Sequence, residues 1–473
     1  MDAGRARLFE SESEAEAEAE GEAGTGKASR EIDATRYHVP MTLARAAAPP
    51  FDPGWLDALA GVCRSLTAST PRLHDLYLER RLELKLSILA GATHAEESRS
   101  DGAAARWRYP TRTTLQARTG TSPAAVEDLL SRHGRRPSLP RARPSDADEI
   151  EPPPEWPDWA ASTLSRSRHG HCTVRWLARR AAVVTPDGWT AVSCPPLVRV
   201  EVNGESPSAL LAVWQRAELE SWLSELAAPP PARRWRPEPG LKVPVLLRSG
   251  TAGVLLHELV GHLTESDLVL AGDSPLAGMA GAVVTAAAID IADDPGRDDL
   301  PGAFSADDEG VPASPLALVR AGRLAGWLCD RAGAHDLDAP AGRGRRASWA
   351  RPPVPRLSNL IVAPGAADPE DLQRELREGL LVTRLGGATV DPLSGRILIR
   401  VERGWELRQG RRRRPLEPFE LTGGALEVLA HIEPAVGRDP APDWRLGWCV
   451  KDGVPLPTGS EAPTLLVHRL EVL

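Results

Sequence analysis

Apolar and polar residues alternate along much of the first half of the chain with the period of short strands. Leu76–Leu89 shows this best, because apolar residues stand at every second position from Leu82 to Ile88, as in a half-buried strand. Trp55–Leu66 has the length and spacing of a short helix. Further strands are predicted at Ala105–Tyr109, Thr113–Ala117, Thr173–Leu177 and Leu197–Val202. Between them, Arg135–Pro157 is rich in proline, arginine and aspartate and predicts a long loop.

A further helix is predicted to begin at Ser206-Pro207, where serine can cap the first turn and proline suits the first helical position. Apolar residues from Leu210 to Leu226 recur at helical spacing, although the apolar face shifts by about 180° midway. The helix ends before Pro229–Gly240, PPPARRWRPEPG. We interpret that segment as a linker, because proline removes backbone donors and stiffens the chain.

Strands and turns dominate after the linker. Strands are predicted at Leu241–Leu247, Gly281–Ile291 and Arg396–Arg408, the last with turns at Arg403-Gly404 and Gln409-Gly410. Hairpins are predicted around Ala321-Gly322, within Leu316–Leu328, and at Lys451-Asp452-Gly453, and a helix at Pro369–Gly379.

The whole pattern predicts an α+β chain. A mixed α/β N-terminal domain (residues 46–228) is followed by the linker (229–240) and by a largely antiparallel, barrel-like β domain (241–473).

The acidic charge is concentrated near the start of the chain. Seven glutamates lie between Glu10 and Glu22, and without them the formal charge of −8 becomes −1. Their mutual repulsion and the lack of large apolar residues predict a disordered tail over residues 1–45. Because the rest is almost neutral, bulk charge gives no reason to expect a nucleic acid partner.

The five cysteines, Cys63, Cys172, Cys194, Cys329 and Cys449, are widely spaced and odd in number, which favours a reducing compartment. The first residues, MDAGRARLFESES, lack the apolar core of a signal peptide, and the most apolar stretch, Leu276–Ala292, falls short of a membrane span. We therefore expect a cytoplasmic protein with no membrane partner.

The segment richest in potential chemistry is Ser249–Asp267, SGTAGVLLHELVGHLTESD, which places His257, Glu258 and His262 among apolar residues. On an ideal α-helix the two histidines would lie about 140° apart around the axis, too far to share one ion. A π-type widening of the turn would bring them together, and Gly261 is the residue best able to tolerate it. Spacing alone leaves a metal site and a pair of structural histidines equally open.

Glu258 favours the metal site. A carboxylate among apolar neighbours is costly without a role, and beside a metal-bound histidine it can move protons between water and a leaving amine. A catalytic zinc ion needs a third protein ligand and one open position. Candidates for that ligand are Glu265, Asp267, His335, His431, His468, Cys329 and Cys449, and periodicity does not choose among them.

Several segments of the C-terminal half carry dense motifs in a fixed order. They are GVLLHELVGHLTESD, DDEGVPAS (307–314), GRGRRASWARPPVPRLSN (342–359), GGATVDPLSG (386–395), LTGGALEVLAHI (421–432) and WCVKDGVPLPTGSEAPTLLV (448–467). Together they resemble the TldD/PmbA metalloproteases, a family whose members are also described as modulators of DNA gyrase. The N-terminal half matches mainly at YLERRLEL and DGAAARWR, so that domain is divergent or shortened.

The resemblance implies that the five-residue spacing belongs to the family's His-Glu-x-x-x-His helix. It implies that His257, His262 and Cys449 hold Zn²⁺, the cysteine as a thiolate, and that Glu258 is the general base and acid. PmbA-type partners lack the motif, so this chain resembles the catalytic TldD type. Leu263 and Thr264 depart from the family's usual glycine and apolar residue, which leaves substrate preference open.

The implied function is a zinc-dependent peptidase that hydrolyses short or unfolded peptides. Family members commonly form dimers, so we expect a homodimer or a heterodimer with a paralogue lacking the metal motif. The alternative is a non-catalytic, metal-containing binding or regulatory protein, which would keep the ligands without needing Glu258.

Three other clusters have both a functional and a structural interpretation. His169-Gly170-His171-Cys172 resembles a metal cluster, but we favour a structural or surface role. Arg343, Arg345 and Arg346 could hold a peptide carboxylate or form a solvated loop. The run Arg411–Arg414 is interpreted as a solvated hairpin tip.

Overall fold

The structure is a computed structural model that describes residues 51–67, 72–89, 92–110, 112–131, 139, 152, 156–166, 171–202, 208–212, 234–443 and 447–473. The predicted acidic tail, most of the predicted loop 135–157 and the first residues of the predicted linker lie outside these ranges, as do His169 and Gly170.

An antiparallel seven-stranded sheet forms the N-terminal region. Its strand order is β3-β2-β1-β4-β6-β7, and β5 pairs with β4. The strands are β1 (Arg72–Leu89), β2 (Ala92–Arg108), β3 (Thr113–Thr119), β4 (His171–Thr185), β5 (Gly188–Ser193), β6 (Leu197–Val202) and β7 (Ser208–Ala212). The strands predicted in this region are confirmed, and the first four extend further than their local patterns indicated. Helices Pro53–Ser65, Pro123–Ser131 and Trp156–Arg166 pack against the sheet.

The side chains of strand β1 point alternately to the two faces of the sheet, so the strand contributes to both faces. Leu76 and Leu78 pack with the helix Pro53–Ser65 in an apolar core. Tyr77 and Glu79, on the opposite face, are equally buried, but they contact the C-terminal half: Tyr77 donates to Asp308, and Glu79 accepts from the backbone N–H of Trp349. One alternating segment therefore supplies both a core and an interface.

The helix predicted from Ser206-Pro207 is wrong over the residues of it that the structure describes. Ser208–Ala212 form strand β7, which pairs antiparallel with β6. Pairing with a neighbouring strand thus overrides the local capping signal, and the rest of the predicted helix lies outside the described residues.

The C-terminal half contains a closed five-stranded barrel, which confirms the prediction of a barrel-like β fold there. The ring runs β15-β8-β23-β18-β16 and returns to β15, while β17 extends from β16. All of its pairs are antiparallel except β8 with β15. The strands are β8 (Lys242–Leu247), β15 (Glu378–Asp391), β16 (Arg396–Arg408), β17 (Arg411–Pro415), β18 (Phe419–Gly424) and β23 (Leu465–Val472).

A second, mostly antiparallel sheet lies beside the barrel, in the order β11-β10-β9-β14-β22-β19. Two small hairpins, β12–β13 and β20–β21, complete the strands. The bounds are β9 (Ile291–Asp293), β10 (Leu316–Arg320), β11 (Arg323–Leu324), β12 (Gly344–Arg345), β13 (Val354–Pro355), β14 (Asn359–Val362), β19 (Ala441–Pro442), β20 (Trp448–Lys451), β21 (Val454–Pro457) and β22 (Gly459–Ala462).

The hairpins at Ala321-Gly322 and Lys451-Asp452-Gly453 are confirmed. The strand predicted over Gly281–Ile291 is wrong, because regular pairing begins only at Ile291. The turn predicted at Arg403-Gly404 is also wrong, since β16 continues through it and turns only at Gln409-Gly410.

Helices of the C-terminal half are short. They comprise a compound helix over residues 251–264, and the helices Ser266–Ala271, Arg331–Leu337, Pro369–Glu375 and Ala425–Ala430. The predicted helix at Pro369–Gly379 is confirmed over its first seven residues. None of the helices in the described ranges is long and apolar enough to cross a membrane.

The two halves meet through buried ion pairs. Arg106 of β2 donates to Asp75 of its own sheet and to Glu309 of the C-terminal half, 2.7 Å away. Arg179 of β4 pairs with Asp308, which also accepts a hydrogen bond from Tyr77 at 3.3 Å. Because buried charges are tolerated only when paired, these contacts fix how the halves dock.

We expect Arg106→Ala to lower the free energy of unfolding by about 3–5 kcal/mol, because Glu309 would lose its cation inside the protein and Asp75 would keep only the longer contact with Arg346. Urea or thermal unfolding measures the loss. Arg118→Ala is the matched control: Arg118 pairs with Asp128 at the surface, where loss of a pair costs less than about 1 kcal/mol. Equal effects of the two substitutions would contradict the interpretation.

Candidate metal centre

The compound helix over residues 251–264, here called the site helix, contains the turn that the histidine spacing required. It is α-helical over Thr251–Leu256, a π-helix over His257–Gly261, and a 3₁₀ turn over His262–Thr264. The N–H of His262 donates to the carbonyl of His257, five residues earlier. The predicted π widening is confirmed, and it brings the two imidazole rings to a centroid distance of 4.9 Å, nearly perpendicular.

Gly261 plays a different part from the one predicted. Its backbone angles, φ −56° and ψ −70°, lie in the right-handed helical region, so the π turn makes no use of glycine's conformational freedom. A Cβ at this position would instead lie 3.2 Å from Leu357 Cδ1. The absence of a side chain lets the segment carrying Leu357 pack closely against the site helix.

Cys449 approaches the histidines from a distant hairpin. It lies in β20, and its Sγ is 3.0 Å from His262 Nε2. One donor atom from each of His257, His262 and Cys449 falls within 4.8 Å of the others. The structure therefore brings together the three residues that the family resemblance implied.

Salt bridges tie the hairpin to the site helix. Lys451, two residues after Cys449, donates to Glu265 at 2.7 Å and to Asp267 at 2.6 Å. The other oxygen of Glu265 lies 3.3 Å from His262 Nδ1. A carboxylate behind a histidine holds the ring and leaves its opposite nitrogen free to face a ligand, an arrangement common around metals. Glu265 and Asp267, both considered as ligands, thus lie behind the donor cluster.

Burial and close charges shape the ionisation of the cluster. Burial raises the pKa of Glu258, and the two histidines offset this only in part. Burial also opposes the Cys449 thiolate, yet His257 and His262 hold its pKa well below the usual value. The pKa of Glu265 falls to about 2 despite burial, because His262, Lys451 and Arg356 surround it.

The donor set fits a zinc ion. Zinc is bound by imidazole nitrogen and thiolate sulfur, and its catalytic sites have three protein ligands. Nδ1 of His257 is buried and has no hydrogen-bond partner among the described residues, so this nitrogen is not committed to another protein group.

The remaining ligand candidates lie elsewhere. His431 contacts the carbonyl of Glu427, and His468 contacts the carboxylate of Glu433. His335 belongs to the helix Arg331–Leu337, and Cys329 is a buried thiol whose pKa burial raises to about 11. The described part of the chain does not bring any of these four side chains into the cluster.

Neither interpretation of the arginine-rich segment was correct. Arg343, Arg345 and Arg346 are all buried. Arg343 pairs with Asp293, Arg345 donates to the carbonyls of Leu357 and Pro457, and Arg346 lies over the ring of Tyr77. They hold loops together and do not line the cleft described below.

The other described residues singled out in the sequence lie outside the donor cluster. Arg411, Arg412 and Arg413 are exposed on the β16–β17 hairpin, while Arg414 pairs with Glu406. Cys172 is a buried core residue, and His169 and Gly170 of the same motif lie outside the described residues. Leu263 and Thr264, which depart from the family pattern, are both fully buried and do not line the cleft.

A cleft of about 610 Å³ opens onto the cluster. Its walls include Glu258 beside the three donors, Trp448 of the hairpin, and Arg199 of β6 in the N-terminal sheet. Residues 386–390 of β15 form another wall. Among the described strands, β8 covers that side of β15 only as far as Val382, so the lining residues lie on an edge without a strand partner there.

The C-terminal half is similar to known metallopeptidases. Residues 240–473 match the family model of the PmbA/TldA metallopeptidase C-terminal domain. The chain is 32% identical over 231 residues to the metalloprotease TldD homolog of Haemophilus influenzae, covering 49% of this chain and 48% of that protein. It is 27% identical over 232 residues to the zinc metalloprotease TldD homolog of Saccharolobus solfataricus, covering 48% and 51%. The chain thus spans about half the length of the curated relatives it matches.

The fold has a solved counterpart over most of the chain. The crystal structure of TldE from Thermococcus kodakarensis superposes with a TM-score of 0.65, covering 88% of this chain and 99% of that one, at 15% identity. At that identity the similarity establishes the fold, including both halves, and no more.

We expect Glu265→Gln to weaken the binding of a divalent metal by about 10–100-fold, because the carboxylate that orients His262 and anchors Lys451 becomes neutral. Competition with a chromogenic chelator measures the affinity. Asp267→Asn is the matched control, since Asp267 pairs with the same lysine but is more exposed and, unlike Glu265, is not paired with His262. A metal affinity unchanged in Glu265→Gln would remove Glu265 from the support of the site.

Proposed function

Because residues 240–473 belong to the PmbA/TldD metallopeptidase family, we propose that this chain is a zinc-dependent peptidase that hydrolyses short or unfolded peptides. His257, His262 and Cys449 would hold the zinc, and Glu258 would be the general base and acid. The observation that carries the proposal is the convergence of the three donors, through the π turn, at the floor of a cleft that also contains Glu258.

A bound zinc ion supplies a Lewis acid that polarises a peptide carbonyl and makes water more acidic. Glu258 then accepts a proton from the attacking water and delivers it to the departing amine. Its position supports this role, because it is adjacent to His257 in sequence and is buried among apolar residues of the site helix. Burial favours a carboxyl group that can carry a proton, as the raised pKa of Glu258 indicates.

The open edge of β15 supports binding of an extended peptide. Backbone donors and acceptors on an uncovered strand edge can pair with a peptide chain, which would lie as an added strand along residues 386–390. Pairing of this kind depends on the peptide backbone more than on its side chains, so it suits short or unfolded substrates of varied sequence.

We further propose that the chain works as a dimer, either with a second copy or with a paralogue lacking the metal motif. The family membership of residues 240–473 supports this, and size-exclusion chromatography with light scattering would measure it.

We expect Glu258→Ala to retain zinc but to lose peptide cleavage by about 10²–10⁴-fold, because proton transfer is lost while the donors remain. Zinc is measured by atomic absorption and cleavage with an unstructured peptide mixture. Glu427→Ala, at an exposed glutamate paired with Lys242, is the control. Zinc without any cleavage that depends on Glu258 would support the non-catalytic alternative.

Cys449→Ala is expected to lose most of the bound zinc, because two histidines alone leave the site one protein ligand short. Cys329→Ala removes another buried thiol of the same half, outside the donor cluster, and should keep it. Zinc content at the wild-type level in Cys449→Ala would exclude Cys449 as a ligand.

A further inference from the structure

Arg356 lies beneath the donor cluster and is completely buried. It follows strand β13, on the segment that packs against the site helix next to Gly261. None of the sequence patterns singled it out. A guanidinium in this position requires an explanation, because burying a cation is costly unless its surroundings compensate for the charge.

The contacts of Arg356 lead to two groups of the candidate centre. Its guanidinium donates to the carbonyl of Cys449 at 2.9 Å and to Cys449 Sγ at 3.0 Å. Its Nε lies 3.6 Å from the carboxylate of Glu265, the residue behind His262. Arg356 therefore contacts the third donor, Cys449, directly. It also contacts Glu265, the carboxylate that lies beside the histidine donor His262.

Arg356 also donates to backbone carbonyls, those of Cys449 and Val454, but a purely structural guanidinium would lack the bond to sulfur, as Arg343 shows. Arg343 is as deeply buried and comes from the same part of the chain, but it pairs with Asp293 and with the carbonyls of Gly342 and Ser314. Within the described residues, these hydrogen bonds and ion pairs of Arg343 do not reach the donor cluster. The contact with sulfur distinguishes Arg356.

We propose that Arg356 is a positioning residue that holds the Cys449 sulfur and withdraws negative charge from it. This inference rests on the proposed function, because it assigns Arg356 a role toward a metal held by Cys449. A charge-assisted hydrogen bond to a thiolate is strong and directional, so it fixes the rotamer that points Sγ at His262.

The hydrogen bond also has an electronic consequence. A thiolate gives more negative charge to a metal than an imidazole does, which weakens the metal as a Lewis acid. Donation from Arg356 to Sγ reduces that transfer, in the way that hydrogen bonds around a ligating cysteine tune other metal centres. Arg356 would thus offset the cost of having a cysteine in a hydrolytic site.

The test uses the full chain loaded with Co²⁺, whose sulfur-to-cobalt charge-transfer band reports the electron richness of the thiolate. We expect Arg356→Met to shift this band to longer wavelength and to weaken Co²⁺ binding by about 10–100-fold. Arg356→Lys keeps a cationic donor and should lie closer to wild type. Arg343→Met is the matched control, expected to lower thermal stability and to leave the band in place.

Each outcome decides between the alternatives. An unshifted band and normal Co²⁺ affinity in Arg356→Met would overturn the inference, provided that the wild-type band is present and disappears in Cys449→Ala. Absence of any sulfur band in the wild type would overturn the proposed ligand set and this inference together. If Arg356→Met does not fold, Arg356→Gln, which keeps a donor but not the positive charge, decides: a band at longer wavelength than in Arg356→Lys supports the role, and the same band in both variants overturns it.

Discussion

The candidate centre depends on one backbone hydrogen bond, from the N–H of His262 to the carbonyl of His257. In a regular α-helix that carbonyl would accept from Gly261, and the imidazoles would point away from each other. The π turn exists in a segment that is apolar and buried on nearly all sides, with Leu255, Leu259 and Leu263 in the main core. Packing on both sides of the turn holds the segment in place, so the widened turn is maintained by the core around it.

The third donor depends on interactions of a different kind. Strands β20 and β21 have four residues each, and a hairpin of that size is marginal by itself. Lys451 ties it to Glu265, 186 residues earlier in the chain. Trp448 packs against Leu197 of the N-terminal sheet, next to the guanidinium of Arg199. Charged contacts on one side and an aromatic contact on the other thus position Cys449.

Local signals in the sequence were sufficient where the structure is local. The turn at Lys451-Asp452-Gly453 and the alternation in Leu76–Leu89 act within a few residues, and both predictions are confirmed. They failed where a distant partner decides the conformation. Ser208–Ala212 looked helical but pairs with β6, and most of Gly281–Ile291 looked like a strand but finds no partner.

The same distinction applies to the site. The π turn could be deduced because both histidines belong to one helix, whereas seven side chains were open as the third donor and spacing could not rank them. No sequence pattern singles out Arg356 or Lys451. A basic residue that pairs inside the protein cannot be distinguished, from the sequence, from one that lies in solvent. Arg343, Arg345 and Arg346 show this most plainly. Their charge suggested contact with solvent or with a ligand, whereas the structure buries all three side chains.

Those buried arginines connect the N-terminal sheet to the candidate centre. Asp308 and Glu309 pair with guanidinium groups of the N-terminal sheet, while the guanidinium of Arg346 lies over the ring of Tyr77 in that sheet. Its neighbour Arg345 donates to Leu357 and Pro457, one residue after Arg356 and at the end of β21. A displacement of the sheet would therefore reach the hairpin through Arg345 as well as through Trp448. The site helix supplies two donors from its own geometry, but the position of the third depends on how the two halves of the chain dock.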